Sequence, residues 1–383
     1  MQFNVLLSSN LLAIYALGFV ISWATCFSII RLSGRFHSRS GDLSARQAMH
    51  TTRVPRIAGS AIYAALIFMF AISAWTPWTA KDFGEVIISV TPLFIVAFLE
   101  DLGVAMTPLK RILAIAASSA ITIATWGVWV KSVDIPGIDA IFAIAPIAIP
   151  ATIFMAAGVT NAFNLIDGLN GLAGITGVTT AIALATIAIA SGHPEIASAS
   201  LLMASFILGF LVFNFPWGKI FLGDAGAYLI GYILVWLAIG LTNDKPNVSP
   251  LAILLIFFWP IADTLLAIWR RLSVKKPANQ PDRLHFHQLV LRYLEIRHLG
   301  RGRRHIANPL TTILMLPMIV APQVAGVTFA NSPAWAGASV VVFGVLFVAT
   351  YKVGLCQAAK IARRKAPKCE VSDKNAVAAP AQH

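Results

Sequence analysis

Residues 161–191 read NAFNLIDGLNGLAGITGVTTAIALATIAIAS. From Leu172 to Ser191 the chain carries no charge for 20 residues, the length that crosses a bilayer as a helix. Immediately before it, residues 161–171 hold three amides, one carboxylate and two glycines. Such groups are costly at the end of a membrane helix, so their clustering points to a built site. The same alternation of long apolar run and short polar interruption repeats along the chain.

Composition agrees with that reading. Of 383 residues, 58% are hydrophobic and 12% charged, with a mean hydropathy of +0.77; soluble domains carry about 25% charged residues. Apolar segments lie near 5–30, 57–75, 86–99, 112–130, 140–160, 172–191, 197–213, 227–242, 250–269, 309–329 and 334–355. The spacing predicts an all-α integral membrane protein of about 11 transmembrane helices. The segment 86–99 is short and holds Pro92, which predicts a kinked or half-inserted helix. The N-terminus lacks the basic region and cleavage site of a signal peptide, so its apolar run is expected to stay as an anchor. Cys26, Cys356 and Cys369 have no framework spacing, which argues against disulfides and a zinc cluster.

Charge orients the layout. With the N-terminus outside, the inner segments are 31–56, 100–111, 161–171, 214–226, 270–308 and the tail. Together they hold 26 of the 29 Lys and Arg residues. This is the asymmetry of a cytoplasmic face, giving an N-out, C-in topology. The net charge of +13 follows from it, and nucleic acid is not an expected partner. Residues 1–355 form the expected membrane domain, and 356–383 a basic tail expected to be disordered.

Four polar stretches fall on that face. Glu100-Asp101 with Lys110-Arg111 pairs adjacent carboxylates with two cations. Adjacent carboxylates repel unless a cation is shared, and magnesium favours one or two carboxylates plus phosphates. Asn161, Asn164 and Asp167 are spaced by three and share a face if helical. Gly168 and Gly171 permit a tight turn and close approach to a ligand. Gly223-Asp224 opens an apolar run, where a helix dipole would stabilise the carboxylate. Trp217, Phe221 and Tyr228 offer faces that could stack a nucleobase. In 282–288, Arg283 with His285 and His287 suits a diphosphate better than zinc. The later run Arg297, Arg301, Arg303 and Arg304 fits substrate or anionic lipid equally.

Asn-x-x-Asn-x-x-Asp-Gly-x-x-Gly-Leu from Asn161 resembles the signature of the polyprenyl-phosphate N-acetylhexosamine-1-phosphate transferases. That superfamily includes the enzymes initiating O-antigen and enterobacterial common antigen and the MurNAc-pentapeptide translocase. The likeness extends over most of the chain. Arg53-Val54-Pro55-Arg56-Ile57-Ala58-Gly59 resembles the family's Pro-x-Pro-x-x-Gly-Gly, and Glu100-Asp101 its Asp-Asp pair. Phe221-Leu222-Gly223-Asp224-Ala225-Gly226 resembles its Gly-Asp-x-Gly-Ser, and the segment from Pro281 to Gln288 its His-x-His-His loop. Departures are Glu100 for Asp, Asn170 for a second Asp, Gln288 for the last His, and Ala58 and Ala227 for Gly and Ser.

The resemblance implies transfer of N-acetylhexosamine-1-phosphate from a UDP-sugar to undecaprenyl phosphate, releasing UMP, as the first step of a surface polysaccharide. The UDP-sugar it favours is UDP-GlcNAc or a modified relative. It implies Mg2+, with Mn2+ as substitute, held by Asp224, and Glu100, Asp101 and Asp167 as catalytic carboxylates. Asn161, Asn164, Asn170, Lys110, Arg111, Gly223, Arg283, His285 and His287 are the implied substrate-binding residues. The implied setting is the bacterial inner membrane, among membrane lipids, with a homodimer known in the family. The rival from another class is a transporter or flippase, against which stands the one-sided clustering of the polar residues. Asp263 is the only acidic residue inside a predicted span.

Overall fold

The computed structural model describes residues 9–33, 54–76, 78–243, 248–274 and 284–365. Its helices are α1 (Ser9–Ser33), α2 (Gly59–Ala71), α3 (Ala80–Asp101), α4 (Pro108–Trp126), α5 (Ala145–Ile166), α6 (Leu172–Ala190) and α7 (Pro194–Asn214). They continue with α8 (Gly223–Asn243), α9 (Pro250–Ile256), α10 (Phe258–Val274), α11 (Phe286–Leu294), α12 (Arg304–Thr328) and α13 (Pro333–Lys365). No strand occurs among the described residues. Helices satisfy their own backbone hydrogen bonds, which is what a lipid environment requires.

Every one of the 11 predicted apolar segments is helical, but the count of spans is lower. Among the described residues nine helices are long and apolar enough to cross a membrane, and α9 with α10, bent by 82°, makes a tenth if the pair is one span. The remaining segment, α2, has only 13 residues and is followed by a 3-10 turn at Ser73–Trp75. At the bend, the Gln323 side chain of α12 donates to the Ile256 carbonyl (3.3 Å) and to Thr180 Oγ1 (3.0 Å).

The expectation of a short or half-inserted helix at 86–99 is corrected. α3 runs 22 residues, and its first turns were hidden by Lys81, Asp82 and Glu85. A capping box starts it: the Thr79 N–H donates to Asp82 Oδ2 (2.8 Å), and the Asp82 N–H to Thr79 Oγ1 (3.2 Å). Pro92 is accommodated because the next amide, Leu93 N–H, donates to Ser118 Oγ of α4 (3.1 Å). At the other end of the chain, α13 continues to Lys365, so the expected tail is helical from 356 to there. Residues 366–383 lie outside the described residues.

α8 is the centre. It is apolar on all sides and packs against α2, α3, α5, α6 and α7, as an all-round apolar helix must. Tyr228, Tyr232 and Trp236 are among its fully enclosed side chains. α13 by contrast exposes Trp335, Val341 and Val345, the arrangement of a lipid-facing helix. Where α2 meets α8, a Cβ on Gly59 would lie 2.3 Å from the Gly226 nitrogen. Small residues let the two backbones touch, and that contact brings the segment before α2 to the first turn of α8.

Candidate active site

The Asp224 loop is built by backbone contacts. The Phe221 N–H donates to the Pro55 carbonyl (2.9 Å), Ala58 N–H to Phe221 (3.1 Å) and Gly59 N–H to Leu222 (2.9 Å). Gly223 follows with φ +74°, a conformation that favours glycine. A Cβ there would lie 2.2 Å from the Arg56 carbonyl oxygen and 2.6 Å from Asp101 Oδ2. Gly223 is thus required by the turn and by its neighbours. Asp101, the last residue of α3, accepts from Asp224 N–H (2.8 Å, Oδ1) and Ala225 N–H (3.0 Å, Oδ2). Its carboxylate occupies two of the free amides at the α8 N-terminus and complements the helix dipole. Asp101 therefore positions Asp224.

Glu100 forms an ion pair with Arg111 across the α3–α4 turn. Lys110 is exposed beside it, its amide donating to the capping Thr107 hydroxyl (3.3 Å). Asp224 is an electrostatic neighbour of Glu100, Asp101 and Asp167. Three polar atoms of this cluster are shielded from water and lack a hydrogen bond of ordinary geometry, Glu100 Oε2, Arg111 Nε and Tyr228 Oη, with Asp224 beside Glu100 and the Asn164 side chain beside the Tyr228 hydroxyl. Buried polar groups are normally paired, so an acid, a cation and a hydroxyl left open together describe a place for a ligand. Tyr228 is enclosed, with its hydroxyl in the electrostatic reach of Asp224, Arg111 and Glu100. This corrects its expected use as a stacking face. Trp217 is open, being 70% exposed.

The Asn161 stretch is the end of α5. The helix runs through Ile166 and Asp167 is its C-cap, so the spacing by three does put Asn161, Asn164 and Asp167 on one side. Burial pushes the Asp167 carboxyl up to about 7, with Arg56 pulling it down and Asp224 pushing it further up. Asn170 has a different place from its neighbours. It is buried, its side chain donates to the Pro216 carbonyl (2.9 Å) and its backbone N–H donates to Asn308 Oδ1 (2.8 Å). Thr312 Oγ1 donates to its carbonyl (2.8 Å). Asn214 completes the tie, accepting from Gly171 N–H (2.6 Å) and donating to the Ile220 carbonyl (2.8 Å). Asn170 thus joins the Asp167 loop to α12 and to the loop before α8, with its Oδ1 left without a hydrogen bond.

Asp263 of α10 organises the histidines. Its Oδ2 is 2.9 Å from His285 Nδ1 and 3.8 Å from His287 Nδ1, and its Oδ1 accepts from Phe286 N–H (3.0 Å). The last of these caps the N-terminus of α11. Arg270 steadies the same turn, donating to the Leu284 carbonyl (3.2 Å) and to the Tyr351 hydroxyl (2.7 Å). His287 is fully enclosed, and a Cβ on Gly168 would lie 2.9 Å from its Nε2. Burial pushes its imidazole down to about 4, Asp263 opposing and His285 adding to the shift. His287 is therefore held as a neutral ring against the Asp167 loop. Arg283 lies outside the described residues.

Sequence reasoning missed four contributors. Asp263 was noticed only as an acid inside a span, and its partners are 22 and 24 residues away. Asn214 and Asn308 were lone amides at helix ends with no local pattern. Arg56 sat in plain view inside a quoted motif, yet its charge acts on both Asp101 and Asp167.

The donor set fits a hard cation. Glu100 Oε2 lacks a hydrogen bond of ordinary geometry beside the Asp224 carboxylate. Among the described residues no three His, Cys, Asp or Glu side chains close into a ready cage, and magnesium held by one or two carboxylates plus phosphates needs none.

The sequence pattern of glycosyl transferase family 4 matches residues 84–242, which contain Glu100, Asp101, Asp167 and Asp224. Over that segment the chain is similar to glycosyl transferase family 4. Its relatives within the polyprenyl-phosphate hexosamine-1-phosphate transferases agree. A probable undecaprenyl-phosphate N-acetylglucosaminyl 1-phosphate transferase of Bacillus subtilis (strain 168) is 29% identical over 281 residues, 72% of this chain and 76% of the relative. The undecaprenyl-phosphate alpha-N-acetylglucosaminyl 1-phosphate transferase of Salmonella typhi is 27% identical over 253 residues, covering 63% and 66%. A decaprenyl-phosphate N-acetylglucosaminephosphotransferase of Mycobacterium leprae (strain TN) is 28% identical over 281 residues, covering 66% and 69%. Arg56, Asp263, His285 and His287 lie outside the matched family-4 segment and join its carboxylates only in three dimensions.

Proposed function

We propose that this protein moves N-acetylhexosamine-1-phosphate from a UDP-sugar, with UDP-GlcNAc the first choice, to undecaprenyl phosphate. The carrying observation is the gathering of Glu100, Asp101, Asp167 and Asp224 with Arg56 and Arg111 at one end of a membrane bundle. Two anions must meet for the reaction to occur, so stabilising spread negative charge is most of the catalysis. An oxygen of the lipid phosphate bonds to the β-phosphorus while the bond to the bridging oxygen breaks, and UMP leaves. Direct attack is preferred to a covalent aspartyl intermediate.

Asp224, with Glu100, would hold Mg2+; when bound, the ion would neutralise phosphate charge. Asp101 holds Asp224 in place through the α8 amides. Asp167, Asn161 and Asn164 hold the nucleotide-sugar, and Asp167 ionises near neutral pH. Arg111 and Lys110 meet the lipid phosphate, Arg111 by exchanging Glu100 for it. The basic end of the bundle is the cytoplasmic face of the inner membrane, and the product starts a surface polysaccharide. Asp263, the only acidic residue inside a predicted span, is bonded to the His285 turn.

The test is UMP release by detergent-purified protein with undecaprenyl phosphate, Mg2+ and a panel of UDP-sugars. Lipid-dependent, EDTA-sensitive release is expected, fastest with UDP-GlcNAc. Folded protein that releases no UMP with any sugar overturns the reading.

A further inference from the structure

The cations of this site are not equivalent. Arg111 is paired with Glu100 and must leave it to meet a phosphate, and Lys110 lies exposed in the first turn of α4. Arg56 is placed differently. Its main chain is fixed: Pro55 and Ala58 on either side are hydrogen-bonded to Phe221, and its own carbonyl fills the space where Gly223 has no Cβ. Its side chain is exposed, and among the described residues it makes no ion pair within 4 Å. Its charge nonetheless reaches both Asp101 and Asp167.

Neither acid is a competing partner. Asp101 has both oxygens on backbone amides of α8, and Asp167 stands at the end of another helix, α5. A guanidinium carried on a rigid backbone, beside acids that do not bind it, keeps its paired N–H groups for an incoming acceptor. That fork matches two oxygens of a phosphate, which a lysine in its place would meet only as a point charge.

We infer that Arg56 is a substrate-binding residue that holds a phosphate group on the Asp167 side of Asp224, the diphosphate of the nucleotide-sugar. The inference rests on the transferase reading above. It adds a ligand from a segment that precedes the matched family region.

The experiment compares Arg56→Gln and Arg56→Lys with wild type in full-length protein. KM is measured for UDP-GlcNAc and for undecaprenyl phosphate separately. UDP-GlcNAc binding is measured by calorimetry in an Asp224→Asn background, where turnover does not interfere. Loss of a charge-assisted pair predicts a rise of about 10- to 100-fold in KM for UDP-GlcNAc in Arg56→Gln. Arg56→Lys should recover part of it, and the melting temperature should not move. A rise confined to the KM for undecaprenyl phosphate supports phosphate binding but assigns it to the lipid. Unchanged KM values for both, with wild-type UDP-GlcNAc binding, overturn the inference; an altered dependence on anionic lipid alone would then make Arg56 a headgroup contact. If the wild type releases no UMP with any sugar, the transferase reading fails, and the calorimetric comparison still decides whether Arg56 binds the nucleotide-sugar.

Discussion

Asp101 and Asp263 are both buried carboxylates that hold the first residues of another helix, α8 and α11 respectively. Their surroundings differ in one respect. Beside Asp101, charged atoms are left open: Glu100 Oε2 and Arg111 Nε, with the Tyr228 hydroxyl. Beside Asp263, the second oxygen is taken by His285, and the atoms without partners belong to His287, a ring that burial keeps neutral. The same capping device thus serves a region prepared for charged ligands and a region closed around neutral ones. Hydrogen-bonding atoms left open on charged groups, rather than burial or the presence of an acid, separate the reacting centre from its support.

The comparison can be broken by substitution. Asp224→Asn removes a carboxylate that caps nothing, so kcat should fall on the order of 10²–10³-fold with no change in melting temperature. Asp101→Asn offers the two α8 amides one oxygen instead of two. It should lower both activity and stability, the latter by about 1.5–3 kcal/mol, read as a lower melting temperature that Asp224→Asn does not share. Asp263→Asn should cost comparable stability but only about tenfold in kcat/KM, because the turn it holds supports the site without touching phosphate. A loss as deep as that of Asp224→Asn would place Asp263 and its histidines inside the chemistry.

The smallest effect concerns pH. Asp167 has a folded pKa of about 7 against roughly 3.9 for an unfolded chain. Between those values the folded state binds the extra proton, so this group's stabilisation is full below about pH 4 and fades as pH rises through about 7. Asp167→Asn should therefore melt slightly higher than wild type at pH 8, and the gap should close at pH 5. Thermal melts at the two pH values check it; an equal gap at both would remove Asp167 from the titrating groups.

Much of this was legible in the sequence because membrane helices declare themselves by length and apolarity. All 11 helical segments and the convergence of the Glu100, Asn161 and Gly223 stretches could be read from charge-free runs and loop charge. The start of α3 was misread because a capping box places charges where a hydropathy pattern expects none. The division of labour among acids could not be read at all. Glu100 and Asp101 are adjacent, yet one pairs with Arg111 and the other with backbone amides 123 and 124 residues away. Asn164 and Asn170 look alike in the motif, and only the packing of α12 makes the second a structural tie. Sequence carries the residue type; partners distant in the chain decide its role.

The glycines around the site differ in what a second substitution could repair. At Gly168 an added Cβ would meet the His287 side chain, an obstacle that a smaller residue at 287 could remove. At Gly223 the nearest obstacle is the Arg56 carbonyl, and at Gly59 it is the Gly226 main chain. No exchange of side chains shortens a backbone. A genetic screen for suppressors should accordingly recover compensating changes for alanine at 168 and return only true revertants for alanine at 223 or 59. The seam between α2 and the Asp224 loop is thus a part of this molecule that must be inherited whole.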